Sequence, residues 1–396
     1  MDYSIKSVEE KRTEEGFVFD VGSLYAHLEK LTDGRKARGL RYKLPIILII
    51  MILAKLAGED KVLGISEWAK HRAAYLVKVF GLKRTSMPHE VTYSRVLGEA
   101  VNVEEFEQVV SGFWNQNAHL GVLVNIDGKA LRGTIPVGET QGVHLLAAYM
   151  PKEGIVLIQM EVGKKENEIV VAPKLLECLD LKGRIVTGDA MFAQRKLSIQ
   201  IVEAGGDYIW TVKANQAKLL DDIVRLFEPE NCPAGTSAMH GDFQTATTTD
   251  VGHDRVETRT ITTSSMLNTY SDWPYLGQVF KLERKVLHIS TGKKTVAVSY
   301  GVTSLSASQA SPKQLLHLAR RHWAIENELH YPRDVTFNED RCRLKIGHAA
   351  HSMAIINNLV IGLINQNHLD FQYMPQARRF FNAHFDAALD LVLRAN

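Results

Sequence analysis

The stretch Val122-Leu-Val-Asn-Ile-Asp-Gly-Lys-Ala-Leu-Arg-Gly133 decides how the rest of this chain is interpreted. Five apolar or neutral residues lead directly into Asp127, and a glycine follows at once. An apolar run that ends at a turn signal predicts a buried strand. A carboxylate at the end of such a strand lies at the edge where open α/β sheets bind ligands. The alternative is an ordinary turn-forming Asp-Gly pair.

A second stretch of the same kind, Arg184-Ile-Val-Thr-Gly-Asp-Ala-Met-Phe192, favours the functional interpretation. Asp189 takes the place there that Asp127 takes in the first stretch. Two such strands in one sheet would bring two carboxylates side by side. Two negative charges at so short a distance repel each other unless a cation lies between them. A hard divalent ion with oxygen ligands is the expected cation.

The order of elements around the two aspartates predicts the fold class. After the first strand come a hairpin of strands 143–149 and 155–162, a helix 170–179, the second aspartate strand, a helix 194–204 and a strand 208–213. The order β-β-β-α-β-α-β is that of the ribonuclease H-like fold, whose first and fourth strands are neighbours. We therefore predict an α/β protein with a mixed sheet flanked by helices.

Composition shifts divide the 396 residues into four segments. Residues 1–115 are predicted to form a helical domain with basic loops, and 116–216 the first part of the ribonuclease H-like core. Threonine and valine enrichment predicts a β-rich insertion at 217–305, built from two hairpins. Residues 306–396 are predicted to supply a last functional helix and a helical C-terminal region. A chain of this length is expected to hold more than one domain.

The net charge of +2 does not by itself indicate a nucleic-acid-binding protein, so any basic surface must be local. One candidate is the segment 34–43, which includes Arg35, Lys36, Arg38 and Arg41. An ordinary solvated loop explains that cluster equally well.

The cysteines and the apolar runs indicate a cytoplasmic protein. Cys178, Cys232 and Cys342 are far apart, which argues against a disulfide framework or a zinc site and for a reducing compartment. The first residues lack a signal-peptide pattern. The strongest apolar run, 44–54, contains a proline and is too short to span a bilayer, so it predicts a buried helix.

A third carboxylate is predicted on a helix over 312–331, which a Ser-Pro pair begins and Pro332 ends. One stripe of that helix contains Leu315, Ala319, His322, Glu326 and Leu329 with His330. The stripe begins apolar, so we predict that Glu326 points inward, where an isolated ionised carboxylate would be costly. A solvated face suits the neighbouring Glu328 better.

Three carboxylates, two on strands and one on a later helix, form a site for two hard cations. Two metals about 4 Å apart stabilise both the attacking and the leaving oxygen of an in-line phosphoryl displacement. The implied substrate is therefore a phosphodiester.

Basic and amide side chains near the three acids are of the kind that contact phosphates, although each alone is more typical of an ordinary surface. The predicted DNA-contacting set is Lys129, Arg132, Lys165, Asn167, Lys213, Asn215, Gln216, His322, His330 and Arg333, together with the four basic residues of segment 34–43.

These motifs resemble the DDE transposases of bacterial insertion sequences, the group that includes the H-repeat-associated proteins. The resemblance covers nearly the whole chain, including the segments 38–44 and 92–97. One departure is His330-Tyr-Pro-Arg-Asp-Val335, where the family usually has His-Trp-x-Leu-Asp-Val. The strongest motifs are Ile126-Asp-Gly-Lys-Ala-Leu-Arg-Gly133, Lys165-Glu-Asn-Glu-Ile169, Val186-Thr-Gly-Asp-Ala-Met-Phe-Ala-Gln194, Val212-Lys-Ala-Asn-Gln216 and His322-Trp-Ala-Ile-Glu-Asn-Glu-Leu-His330.

The resemblance implies an enzyme that binds the terminal inverted repeats of its element, cuts there and joins the freed 3′ ends to target DNA. It assigns the metal-binding triad to Asp127, Asp189 and Glu326, and leaves open whether Asp334 is a further ligand. Two Mg²⁺ ions, which Mn²⁺ would replace, are the expected cofactors. The expected partners are double-stranded DNA and a second copy of the chain, in the bacterial cytoplasm at the nucleoid, with no membrane and no small-molecule cofactor.

Two other functions remain open from the sequence. A structure-specific DNA nuclease or resolvase of the same fold would use the same acids without strand joining. A catalytically inactive remnant would keep DNA binding and lose the chemistry, although three intact acids argue against it.

Overall fold

The computed structural model describes residues 9–14, 16–38, 40–228 and 242–395, so Cys232 lies outside the described residues. The chain forms two compact units. The first contains Met1–Gly121, Gly128–Asn167 and Glu326–Asn396, and the second contains Val122–Asp127 and Glu168–Ile325.

The α-helices of the described chain are α1 (Leu24–Leu28), α2 (Leu44–Leu56), α3 (Val62–His71), α4 (Ala73–Phe80), α5 (Glu90–Arg95), α6 (Val103–Asn117), α7 (Glu168–Glu177), α8 (Arg195–Glu203), α9 (Ala217–Phe227), α10 (Pro312–Arg321), α11 (Ala349–Gln366), α12 (Met374–Ala383) and α13 (Phe385–Leu393). The strands are β1 (Glu10–Arg12), β2 (Val18–Asp20), β3 (Leu123–Ala130), β4 (His144–Met150), β5 (Ile155–Val162), β6 (Ile185–Gly188), β7 (Asp207–Val212), β8 (Gln244–Gly252), β9 (Arg255–Ser264), β10 (Gln278–His288) and β11 (Lys294–Thr303).

The main sheet has nine strands in the order β5-β4-β3-β6-β7-β11-β10-β9-β8. Strands β3, β6 and β7 run parallel, whereas β7 pairs antiparallel with β11. The predicted fold class, a mixed sheet flanked by helices, is confirmed, and the first and fourth strands of the predicted order are neighbours. The four strands of the β-rich segment extend this sheet, because β11 pairs directly with β7.

The core of the second unit lies between the outer strands and α10. Ile261 and Phe280 of the sheet pack with Leu315 and Leu316 of the helix. A Ser311 capping box with Gln314 begins α10, and Pro312 occupies its first turn as the sequence predicts. This packing fixes the helix on the sheet by burial of apolar surface.

The helical prediction for the N-terminal segment is confirmed, with α2 as the centre of the first unit. Every residue of α2 is buried except Pro45, which lies at the first turn, where a missing N–H costs nothing. Among the described residues, no helix combines the length and hydrophobicity that a bilayer crossing requires. The hairpin of β1 and β2 was not predicted, because strands of three residues show too short an alternation to recognise.

The prediction that the first strand ends at Asp127 is wrong, since β3 continues to Ala130. Its parallel neighbour β6 stops at Gly188, and the last pair between the two strands is Ile126 with Gly188. Asp127 therefore lies within its own strand but at the point where the neighbouring strand ends. This still places it at an edge of the parallel pairing.

The single helix predicted over 312–331 is also wrong. Helix α10 ends at Arg321, and two π-helical segments follow, Ile325–His330 and Pro332–Thr336. Pro332 does not end the helical path but begins its last segment, where its missing N–H needs no acceptor. The break and the wider π turns change which residues share a face, so Glu326 is not inward as predicted. Its side chain is 55% exposed.

Candidate active site

Asp127 and Asp189 each come directly after one member of a residue pair that joins two adjacent parallel strands. Ile126 pairs with Gly188, so the next residue of each chain segment is an aspartate. A Cβ on Gly188 would lie 2.7 Å from Cδ2 of Phe192 and 3.0 Å from Cγ1 of Ile126. Only glycine therefore fits immediately before Asp189. The backbone brings the two aspartates together as the sequence predicts.

The turn that follows Asp189 is held by two amides. Nδ2 of Asn215 donates to the carbonyl of Ala190 at 2.7 Å, and Nε2 of Gln216 donates to the carbonyl of Ala193 at 2.9 Å. Both side chains were predicted as DNA contacts. In the structure their amide nitrogens stabilise the backbone beside Asp189, while Lys213 nearby is exposed.

His322 lies beside Asp189, with its Nε2 3.5 Å from Oδ1 of the carboxylate. The neighbouring His322 side chain holds the pKa of Asp189 below its usual value, against the opposing effect of burial. Nδ1 of the same ring lies 3.2 Å from Oγ1 of Thr187. His322 was predicted to contact DNA, but only 12% of its side chain is exposed. Its two ring nitrogens face Asp189 and Thr187 instead.

Asn125 links the end of α10 to the sheet. Its Nδ2 donates to the carbonyls of Arg321 and His322, at 2.8 and 3.0 Å, and its Oδ1 accepts from Oγ1 of Thr187 at 2.8 Å. Asn125 and Thr187 are buried. The carbonyls that the helix end leaves without intrahelical partners are therefore satisfied by a side chain of β3.

In the first unit, His330 accompanies Glu326 at a spacing of four residues. Nδ1 of His330 lies 3.4 Å from Oε2 of Glu326. Burial lowers the pKa of His330, and the Glu326 carboxylate opposes this in part. His330 was predicted as a DNA contact, and this is a correction: the side chain is buried against the glutamate, so it does not present a cation to phosphate.

Two further predicted DNA contacts are corrected because their charges are buried and paired. Lys129 is buried, and its Nζ donates to Oδ2 of Asp334 at 2.6 Å. Arg333 is fully buried, and its Nε donates to Oε2 of Glu339 at 2.7 Å. Arg333 and Glu339 are both buried, so removing either partner would leave an uncompensated charge. Asp334, the candidate fourth carboxylate, shares its Oδ2 with Lys129.

Glu326 and His330 of the first unit form a candidate metal-binding group. The Glu326 carboxylate and the His330 imidazole each offer one ligand atom, and these atoms are 3.4 Å apart. A carboxylate oxygen and an imidazole nitrogen are donors that Mn²⁺ accepts. In the second unit, Asp127 and Asp189 offer further carboxylates. His330 was not predicted as a candidate metal ligand, although its spacing of four residues from Glu326 indicated a shared helical face.

The other predicted contacts differ in how available their charges are. Arg132 has a side chain 78% exposed, 3.7 Å from Asp340. Lys165 and Asn167 are exposed. Arg35 is partly buried, because it pairs with Asp33 and donates to the carbonyl of Tyr42. Lys36, Arg38 and Arg41 are exposed.

Comparisons with known proteins agree with these motifs. A family model described as "Transposase DDE domain" matches residues 123–363, and a model described as DDE_Tnp_1-associated matches residues 25–114. The chain is 30% identical to "Putative transposase YncI" of Escherichia coli O157:H7, over 87% of each chain. It is 25% identical to "H repeat-associated putative transposase YhhI" of Escherichia coli strain K12, over 88% of this chain and 92% of that protein.

Among solved structures, the chain resembles a piggyBac transposase synaptic complex with hairpin DNA. The TM-score is 0.43 and the identity 13%, over 91% of this chain and 76% of that one.

Proposed function

Because the chain belongs to the DDE transposase family, we propose that it binds the terminal inverted repeats of an insertion sequence, cleaves the phosphodiester bonds at the element ends and joins the 3′ ends to target DNA. The DDE domain makes it an enzyme of nucleic-acid cleavage and transposition. The observation that carries the proposal is the family match across residues 123–363, together with Asp127 and Asp189 following a paired position on adjacent strands.

The proposed metal-binding triad is Asp127, Asp189 and Glu326. DDE transposases use divalent metals, and the Asp127 carboxylate of the second unit and the Glu326 and His330 side chains of the first are donors that suit them. We propose two Mg²⁺ ions, replaceable by Mn²⁺, with Asp334 as a candidate additional ligand. When bound, such ions stabilise the charge that develops on the oxygens of a phosphoryl displacement.

The protein itself contributes position and charge. Asp127 and Asp189 are carried by paired strands, and rigid elements hold functional groups more precisely than loops do. Asn215 and Gln216 fix the turn after Asp189. The exposed cations Lys165, Lys213 and Arg132 are proposed to contact phosphates, which sets the position of the DNA without reading its sequence.

A transposase has to bring two element ends together, so we propose a homodimer on double-stranded DNA in the bacterial cytoplasm, at the nucleoid. The exposed cations Lys36, Arg38 and Arg41 give the N-terminal segment a surface for DNA phosphates. The N-terminal segment would then bind DNA and the DDE domain would perform the chemistry.

The test uses a donor DNA that carries both ends of the element, taken from the genomic sequence that flanks the gene. With Mg²⁺ and a target plasmid, the wild-type protein is expected to cut at the ends and join them to the target. Asp127→Ala should be inactive, whereas Asp180→Ala, which changes an exposed loop aspartate, should remain active. Cut ends that never join would indicate a nuclease instead. If wild type and Asp127→Ala bind DNA and are equally inert, the chain is a non-catalytic remnant.

A further inference from the structure

The hydrogen bonds around His322 determine which of its ring nitrogens carries a proton. Both hydrogens of the Asn125 amide face backbone carbonyls, so its Oδ1 is the atom turned toward Thr187. The single hydroxyl hydrogen of Thr187 is given to that oxygen. Oγ1 of Thr187 can therefore only accept from His322, and Nδ1 of His322 must carry the hydrogen.

With a proton on Nδ1, the neutral ring of His322 has its lone pair on Nε2. That nitrogen faces the Asp189 carboxylate at 3.5 Å. A lone pair opposite an anion is repelled unless a proton or a metal cation lies between them. A hydrogen bond between an imidazolium and a carboxylate is normally about 2.7–2.9 Å long. The observed separation of 3.5 Å is wider than such a hydrogen bond.

We propose that His322 is a metal ligand of this enzyme, through Nε2, and that it shares one divalent cation with Asp189. Metal-binding histidines almost always donate their other ring N–H to a partner that fixes the tautomer and the ring orientation. Thr187 is that partner here, and Asn125 fixes Thr187. The assignment rests on the proposed function for the presence of the metal and adds a nitrogen donor to the carboxylates.

The chain has a second histidine near a proposed metal ligand, so the test must separate the two. His330 lies beside Glu326 and belongs to the candidate metal-binding group. The measurement is therefore made in a His330→Gln background, which leaves His322 as the proposed nitrogen donor. The full-length protein is loaded with Mn²⁺ alone, without DNA, and pulsed EPR detects ¹⁴N nuclei bound directly to the ion.

In the His330→Gln background we expect ¹⁴N coupling from a bound imidazole. Adding His322→Gln should abolish the coupling, and adding His317→Gln, an exposed histidine of α10, should leave it unchanged. Circular dichroism and the bound Mn²⁺ signal confirm that each variant folds and is loaded. Absence of coupling in the background variant, or its survival after His322→Gln, would overturn the proposal.

A second variant tests the hydrogen bond between His322 and Thr187 without changing His322 itself. Thr187→Val keeps the shape of the side chain but removes the acceptor for Nδ1. The dissociation constant for Mn²⁺ should rise by about tenfold or more, because partners of ligating histidines contribute that much. Thr187→Ser should restore it, and an unchanged constant in Thr187→Val would contradict the proposal. Since no DNA is present, failed strand joining would refute only the transposase activity and leave this assignment intact.

Discussion

At the residue scale, Lys55 shows how a buried charge couples folding to pH. Its side chain is fully buried in α2, with Nζ 3.8 Å from Oδ1 of Asp60, which also accepts from Arg378. Burial lowers the pKa of Lys55 from 10.5 to about 8, although the Asp60 carboxylate opposes the shift. The unfolded chain therefore keeps this proton over a range of pH in which the folded protein has lost it.

The expected consequence is a rise in stability with pH. Between pH 8 and 10.5 the unfolded state binds more protons at this site than the folded state, so the free energy of unfolding increases there. Lys55→Met should be more stable than wild type below pH 8, and the difference should shrink as pH rises toward 10.5. Urea unfolding at several pH values measures this. The exposed Lys70→Met serves as the control, and wild-type and Lys55→Met curves that stay parallel would contradict the expectation.

At the element scale, the pairing of β3 with β6 positions the two aspartates, and Gly188 is the residue that allows it. Gly188→Ala places a methyl group 2.7 Å from Phe192 and 3.0 Å from Ile126. Overpacking of this kind costs about 1–3 kcal/mol. Because the displaced backbone carries Asp189, we expect DNA cleavage to fall at least about tenfold, since small displacements of catalytic groups are costly.

The matched control is Gly252→Ala at the end of β8, where an added Cβ meets nothing within 4 Å. Urea unfolding and donor-DNA cleavage are measured for both variants. If the two behave alike in both assays, the close packing before Asp189 has no functional consequence and this account of the turn is wrong.

The sequence predicted some secondary-structure elements around the site correctly and others wrongly. The strands that carry Asp127 and Asp189 were recognisable because apolar runs ending in turn signals depend on local residue order. The path around Glu326 was not, because counting by 3.6 residues assumes one regular helix. Asn125 takes the carbonyls at the end of α10, and π turns follow. The hydrogen bonds from Asn125 to the end of α10 join residues almost 200 positions apart, so they leave no periodic pattern in the sequence. For this reason the burial of Glu326 was predicted wrongly.

At the same scale, the basic residues near the acids show why residue type alone is a poor guide. Lys129 and Arg333 matched the pattern of phosphate contacts, yet each is buried beside a carboxylate. Asp334, the partner of Lys129, lies 205 residues further along the chain. Only the folded chain reveals such a pairing.

At the scale of the whole molecule, DNA binding should depend on salt through the exposed cations of the N-terminal segment. Changing Lys36, Arg38 and Arg41 together to Gln should reduce the slope of log affinity against log salt by up to about 0.9 for each phosphate that the variant no longer neutralises. Fluorescence anisotropy with a terminal-repeat duplex measures the slope. Lys70→Gln with Lys78→Gln, exposed on α3 and α4, is the control. Equal slopes for the triple variant and wild type would place the DNA elsewhere.

We propose that Asp127, Asp189 and Glu326 bind divalent metal together. Iron-directed backbone cleavage tests this proposal: Fe²⁺ replaces Mg²⁺ in the full-length protein, and ascorbate with peroxide generates radicals that cut the chain beside the ion. The account predicts cuts near all three residues, suppressed by excess Mg²⁺ or Mn²⁺. Cuts confined to one of the three positions, or located elsewhere in the chain, would contradict it.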